Sequence, residues 1–140
     1  MWNAGVTRRR RHLALNQLVE RSRQSGNLTA PWQEVPTIWE HFRDEAEVLR
    51  ELQSVWRNAL AGAVYVAIER GQGDLRQDVV EAFSTVATRY AGIRAILEFH
   101  AEHPAIATAM RKEHALLSTF ACAQKAAQQA AQDAASDRAA

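Results

Sequence analysis

The sequence predicts an all-α protein, an antiparallel bundle of about four helices around one long central helical hairpin. Three observations carry that expectation. Apolar residues recur at steps of three and four through most of the chain. Capping boxes open the two longest periodic runs. No alternating β-branched run bounded by turn residues competes with them.

The first helix is expected over about residues 7–24. Thr7 is its N-cap candidate, Leu15, Leu18, Val19 and Ser22 form a narrow apolar stripe, and Ser25-Gly26-Asn27 ends it. A linker from Leu28 to Pro36 follows, with one helical turn at Thr29-Ala30-Pro31-Trp32. The second helix, about 37–70, opens on Thr37-Ile38-Trp39-Glu40, with Thr at the N-cap and Glu three residues on. Ile38, Phe42, Glu45, Leu49, Leu52, Trp56, Ala59, Ala63 and Val66 then form a heptad-like seam whose one polar member is Glu45. Gly71-Gln72-Gly73 breaks it.

Asp74-Leu75-Arg76-Gln77 opens the third helix, about 75–103. Leu75, Val79, Ala82, Phe83, Val86, Tyr90, Ile93, Leu97 and His100 keep the rhythm. His103-Pro104 closes the helix, because the residue before a proline avoids the α region. Pro104 suits the first turn of a fourth helix, about 105–122, with Ile106, Met110, His114, Leu117 and Phe120 or Ala121 on its face. Residues 1–122 read as a single domain. The Ala/Gln-rich residues 123–140 read as a helical extension or disordered tail, with high helix propensity and little to bury.

Helix length implies a partner. A helix over 37–70 spans on the order of 50 Å, against roughly 30 Å for a small domain. The first and fourth helices are too short to cover its whole seam, so a second copy of the chain, in a homodimer, is expected to cover the remainder. A hairpin turning near Gln72 also predicts that Leu49, Leu52, Trp56, Val86, Tyr90 and Ile93 are buried together.

Composition narrows the function classes. The chain of 140 residues is 47% hydrophobic and 24% charged, which argues against wholesale disorder, and a net charge of +1 gives no overall footprint for nucleic acid or membrane. The only cysteine, Cys122, rules out an intramolecular disulfide and suits a reducing compartment. The N-terminal arginines lack an apolar run behind them, so no signal peptide is expected, and no stretch approaches a spanning length. The expectation is a cytoplasmic protein. Its preference for Arg over Lys, with abundant Ala, suggests a GC-rich bacterial source.

Candidate sites are few. In the predicted hairpin register His41, Glu45, His100 and His103 share one end of the bundle, the donor types from which carboxylate–histidine metal sites are made. The alternative is surface and rim histidines, with His100 satisfied by a carboxylate. Arg8, Arg9, Arg10 and Arg11 load positive charge onto a helix start that is already positive. That run fits either a phosphate-contacting arm, with Trp2 stacking on a base, or ion pairs to Asp44, Glu47 and Glu51. Trp32 and Trp39 flank the linker and either pin it over the bundle or, with Phe42, Phe99 and the histidines, line a pocket for a small apolar ligand. No catalytic arrangement and no cofactor motif accompanies them: Gly71-Gln72-Gly73 is not a phosphate loop, and no base stands beside Ser84, Ser118 or Thr119. The expected function is that of a protein–protein interaction module rather than an enzyme. The alternative is a nucleic-acid-associated or ligand-sensing regulator.

Overall fold

Asp44, rather than Thr37, caps the long helix at the heart of the molecule. In a computed structural model that describes residues 4–71 and 73–139, the Asp44 carboxylate accepts from the Glu47 backbone N–H at 2.8 Å, and α2 runs Glu45–Arg70. Glu45 and Glu47 in its first turn complement the positive end of the helix dipole. The predicted start at residue 37 is therefore corrected. Pro31–Glu34 and Pro36–Glu40 form two 3-10 turns that place Trp32, Val35 and Ile38 in the core. Prolines at their first positions favour such short turns, and Val35, at φ −133 and ψ 75, is out of helical conformation and keeps them apart.

The helix before this linker, α1, runs Ala4–Ser25, so Thr7 lies inside it and is not its cap. Gly26 follows at φ 74, in the left-handed conformation that ends helices. The Ser22 hydroxyl donates to the Asn27 carbonyl at 2.9 Å, which satisfies a buried polar side chain at the turn.

The expected third helix is two helices. α3 covers Leu75–Arg89 and α4 covers Ala91–Phe99, with Tyr90 out of helical conformation between them. Thr85 and Thr88 donate their hydroxyls back to the carbonyls of Glu81 and Ser84, a bond that bends helices. The break lets α4 turn across α1, and Gly92 sits where they cross: a Cβ there would stand 2.7 Å from Val19 Cγ1. The unbroken heptad seam fails at this point. Its core members nevertheless meet, since Leu49, Leu52, Trp56, Val86 and Ile93 are buried in one cluster and Tyr90 packs against it.

The last helix, α5, spans Ala107–Ala139 and takes in most of the Ala/Gln-rich tail. It begins after a turn in which the His103 carbonyl accepts from both Ile106 and Ala107 N–H. The structure is thus all-α, five α-helices with no strand among the described residues, and α2 packed on α3 as its central pair. None of its helices is long and apolar enough to cross a membrane, among the described residues. Trp2 and Gln72 lie outside those residues, as do the side chains of Phe120, Ala121 and Cys122.

The core is concentrated at one end. Leu18, Ile38, Val48, Leu49, Leu52, Trp56, Ile96, Leu97, Ile106 and Met110 fill it from five directions. Beyond Trp56 on α2, before Ala82 on α3 and after Met110 on α5, no described residue is buried. The distal halves of three helices project from the core.

Candidate interaction surface

Three sets of residues bear on function, and the structure treats them differently. The histidine end does not assemble. α2 begins only at Glu45, so His41 lies outside it and ends the second 3-10 turn, where its carbonyl accepts from Arg11 at 3.0 Å. The His100 ring donates to the Leu28 carbonyl at 2.8 Å and packs against Trp32, so its expected carboxylate partner is corrected to a backbone carbonyl. The His103 ring accepts from the Ala105 N–H at 3.1 Å. Glu45 and His103 do share a shallow depression with Trp39, but His41 lines a different one. Among the described residues no three His, Cys, Asp or Glu side chains are grouped to hold a metal ion.

The expected aromatic pocket divides in the same way. Trp32 and Phe42 are buried in the core, while Trp39 and Phe99 are about half exposed. Phe42 is covered by Arg11, whose guanidinium lies 4.5 Å from the ring centroid. Arg11 also pairs with Glu47 at 3.3 Å and reaches Glu51 at 3.9 Å, which ties α1 to α2. The arginine run thus splits: Arg11 belongs to the fold, while Arg8, Arg9 and Arg10 stay exposed with no ion pair among the described residues.

The Arg43 backbone N–H, with the Arg11 guanidinium, holds the Glu47 carboxyl below the usual carboxylate range. The fold therefore favours its charged form. Its stabilising contribution is complete above the ordinary value of 4.5 and is lost as the pH falls below it. Glu47→Gln should flatten the acid side of the stability profile, read as urea midpoints between about pH 6 and pH 3, and an unchanged slope would remove Glu47 from that role.

Sequence reasoning missed the polar cluster that fastens α5. Arg94, on α4, pairs with Glu98 on its own helix and with Glu113 on α5. Its guanidinium lies over the Trp56 ring at 4.8 Å and the Phe83 ring at 5.3 Å. The Trp56 indole N–H donates to the other Glu113 oxygen at 2.9 Å, and His114 meets Glu98 at 3.0 Å. The partners are satisfied by one another, so the cluster docks α5 rather than presenting a free acid or base. The available signal was the i, i+4 spacing of Arg94 and Glu98 beside a mid-seam tryptophan.

What remains unsatisfied is apolar. Residues 59–68 of α2, from Ala59 to Ile68, carry no charged or amide side chain, and the Tyr65 hydroxyl is their one polar side-chain group. A helix so nearly apolar all round belongs in an interior, yet Ala61, Tyr65, Val66 and Ile68 stay exposed. Tyr65 is 67% exposed, Ile68 50%, Leu75 52% and Leu116 57%. Leu60, Val64, Ile68, Leu75, Val79 and Leu116 line an open groove of about 310 Å³ between α2, α3 and α5. On the other side of the hairpin, Ala59, Gly62, Ala63, Val66 and Ala82 line a second groove of about 570 Å³.

Searches among protein families, curated proteins and solved structures find no match to this chain. The whole chain exposes 9512 Å². A compact monomer of 15.6 kDa exposes only about 7,300 Å² by the usual scaling of area with mass. The Ala/Gln-rich end of α5 contributes to that surplus, together with the projecting ends of α2 and α3.

Proposed function

We propose that this chain is a protein–protein interaction module that acts as a homodimer through the distal half of the α2–α3 hairpin. The observation that carries the reading is the segment from Ala59 to Ile68, which has no charged or amide side chain and yet leaves Tyr65, Val66 and Ile68 exposed. Leaving it in water forfeits about 25 cal/mol for each Å² of apolar surface that a partner would bury. Tyr65, Ile68, Leu75 and Leu116, all half exposed or more, supply the apolar groups that a standard interface of roughly 800 Å² per partner buries at its centre. The polar cluster at Arg94 and Glu113 supports the reading, because it fixes α5 beside the groove and so sets the shape of the surface.

Sedimentation equilibrium at micromolar concentration should give twice the 15.6 kDa chain mass. Ile68→Glu, at a position already half exposed within one chain, should shift the protein to monomer while leaving its helix content intact. A wild-type protein that stays monomeric up to about 100 μM, well above the dissociation constants of stable interfaces, would overturn the homodimer.

A further inference from the structure

The distal half of α2 carries a second apolar stripe, separate from the seam that meets α3. Ala61, Val64, Tyr65 and Ile68 stand at i, i+3, i+4 and i+7, the spacing of anchors that seat one helix against another. Ala61, Tyr65 and Ile68 are exposed, and Val64 lines the wall of the groove beside α5. Charge of opposite sign stands at the two ends of the stripe. Arg57 lies one turn before Ala61 and Glu69 follows Ile68, both exposed and neither with an ion-pair partner among the described residues.

Resting on the homodimer reading above, we infer that the second copy docks along this stripe, the two α2 helices crossing antiparallel about a twofold axis that meets the stripe at the level of residue 63. The inference follows from what each arrangement brings together. Antiparallel pairing about residue 63 sets Arg57 opposite Glu69 of the partner subunit, and symmetry repeats the pair at the other end. Parallel pairing would set Arg57 against its own copy and Glu69 against its own copy, which costs free energy at both ends.

Size complementarity points the same way. The antiparallel register places Ala61 opposite Tyr65 of the partner subunit, a small side chain against a large one, twice over. The tyrosine ring then lies across the small residue, and its hydroxyl reaches the edge of the contact, where water can meet it. Residues 57 to 69 span about 18 Å of helix. Leu75 and Leu116 extend the apolar surface across the adjoining groove. The contact therefore has a core of aliphatic and aromatic groups and a charged rim, the usual anatomy of a specific interface.

Charge reversal tests the register. Arg57→Glu and Glu69→Arg should each weaken the dimer at least about tenfold, as like charges replace both pairs, and the double variant should recover wild-type affinity. Proximity to the axis is tested separately in a Cys122→Ser background. Val64→Cys should be joined to its own copy by a short bis-maleimide, whereas Thr85→Cys, on the opposite groove, should not. A dimer in which Thr85→Cys cross-links, Val64→Cys does not and the reversals change nothing would overturn the antiparallel α2 seam while leaving the homodimer standing. A dimer weakened by the reversals but not restored by the double variant would overturn the register. A wild-type monomer would overturn both.

Discussion

Trp56→Ala should lower the free energy of unfolding by about 3–5 kcal/mol, a range set by the lost apolar contacts plus the cavity left behind. Trp56 is fully buried and stands at the last turn of α2 that contributes to the core. Its ring meets Phe83 edge-on at 5.6 Å and carries the Arg94 guanidinium on its face. Truncation removes both contacts, and it strips the Glu113 carboxylate of an N–H donor. Trp56→Phe separates the effects, because it keeps most of the ring contact and loses only the N–H. That variant should lose about 1–3 kcal/mol, the cost of leaving a buried acceptor unsatisfied. Urea titration followed by helix dichroism measures both. A loss under about 1 kcal/mol for Trp56→Ala would mean that α5 and the hairpin hold together without this side chain.

The fate of Trp56 shows what the sequence could and could not reveal. Its place on an apolar seam was legible from the spacing of Leu49, Leu52 and Trp56, and all three are fully buried. The hydrophobic period reports which side of a helix faces inward, whatever the helix then does. It does not report where the helix stops. Thr37-Ile38-Trp39-Glu40 and Asp44-Glu45-Ala46-Glu47 both satisfy the local chemistry of a helix start, and tertiary packing chose the second. Ile38 and Phe42 were read as seam residues on α2, yet they reach the core from the segment before it. The continuous reading across Tyr90 failed for a related reason. The apolar period carries no mark of Gly92, where a Cβ would stand 2.7 Å from Val19 Cγ1 of α1.

The same limit explains the histidine site. His41 was placed level with His103 by extending an ideal hairpin through residues that turn out not to be helical. Residues on two helices are level only where both helices are continuous. The surplus apolar surface needed less geometry. Ala59 to Ile68 lacks any charged or amide side chain by composition alone. The structure leaves Tyr65, Val66 and Ile68 exposed although α5, expected to be short, runs from Ala107 to Ala139.

Arg94→Met should cost about 3–5 kcal/mol, the range for removing one partner of a buried ion pair. The side chains of Arg94 and Glu113 are each only 12% exposed, so water does not replace the lost partner. Methionine retains the volume and the contact with Trp56 and Phe83, so the loss isolates the charge rather than the packing. Glu98 provides the contrast. It also pairs with Arg94, but its side chain is 42% exposed, and Glu98→Gln should cost under about 1 kcal/mol. Glu113→Gln alone leaves Arg94 a second carboxylate and leaves Trp56 an acceptor, so its cost falls between the two. The deciding measurement is the double variant, Arg94→Met with Glu113→Gln. If the penalty of Arg94→Met comes from a carboxylate left unpaired against the Trp56 ring, neutralising that carboxylate removes most of it, and the double variant should be more stable than Arg94→Met alone. Simple addition of the two single losses would show that Arg94 holds α5 through its packing on the aromatic rings and not through Glu113.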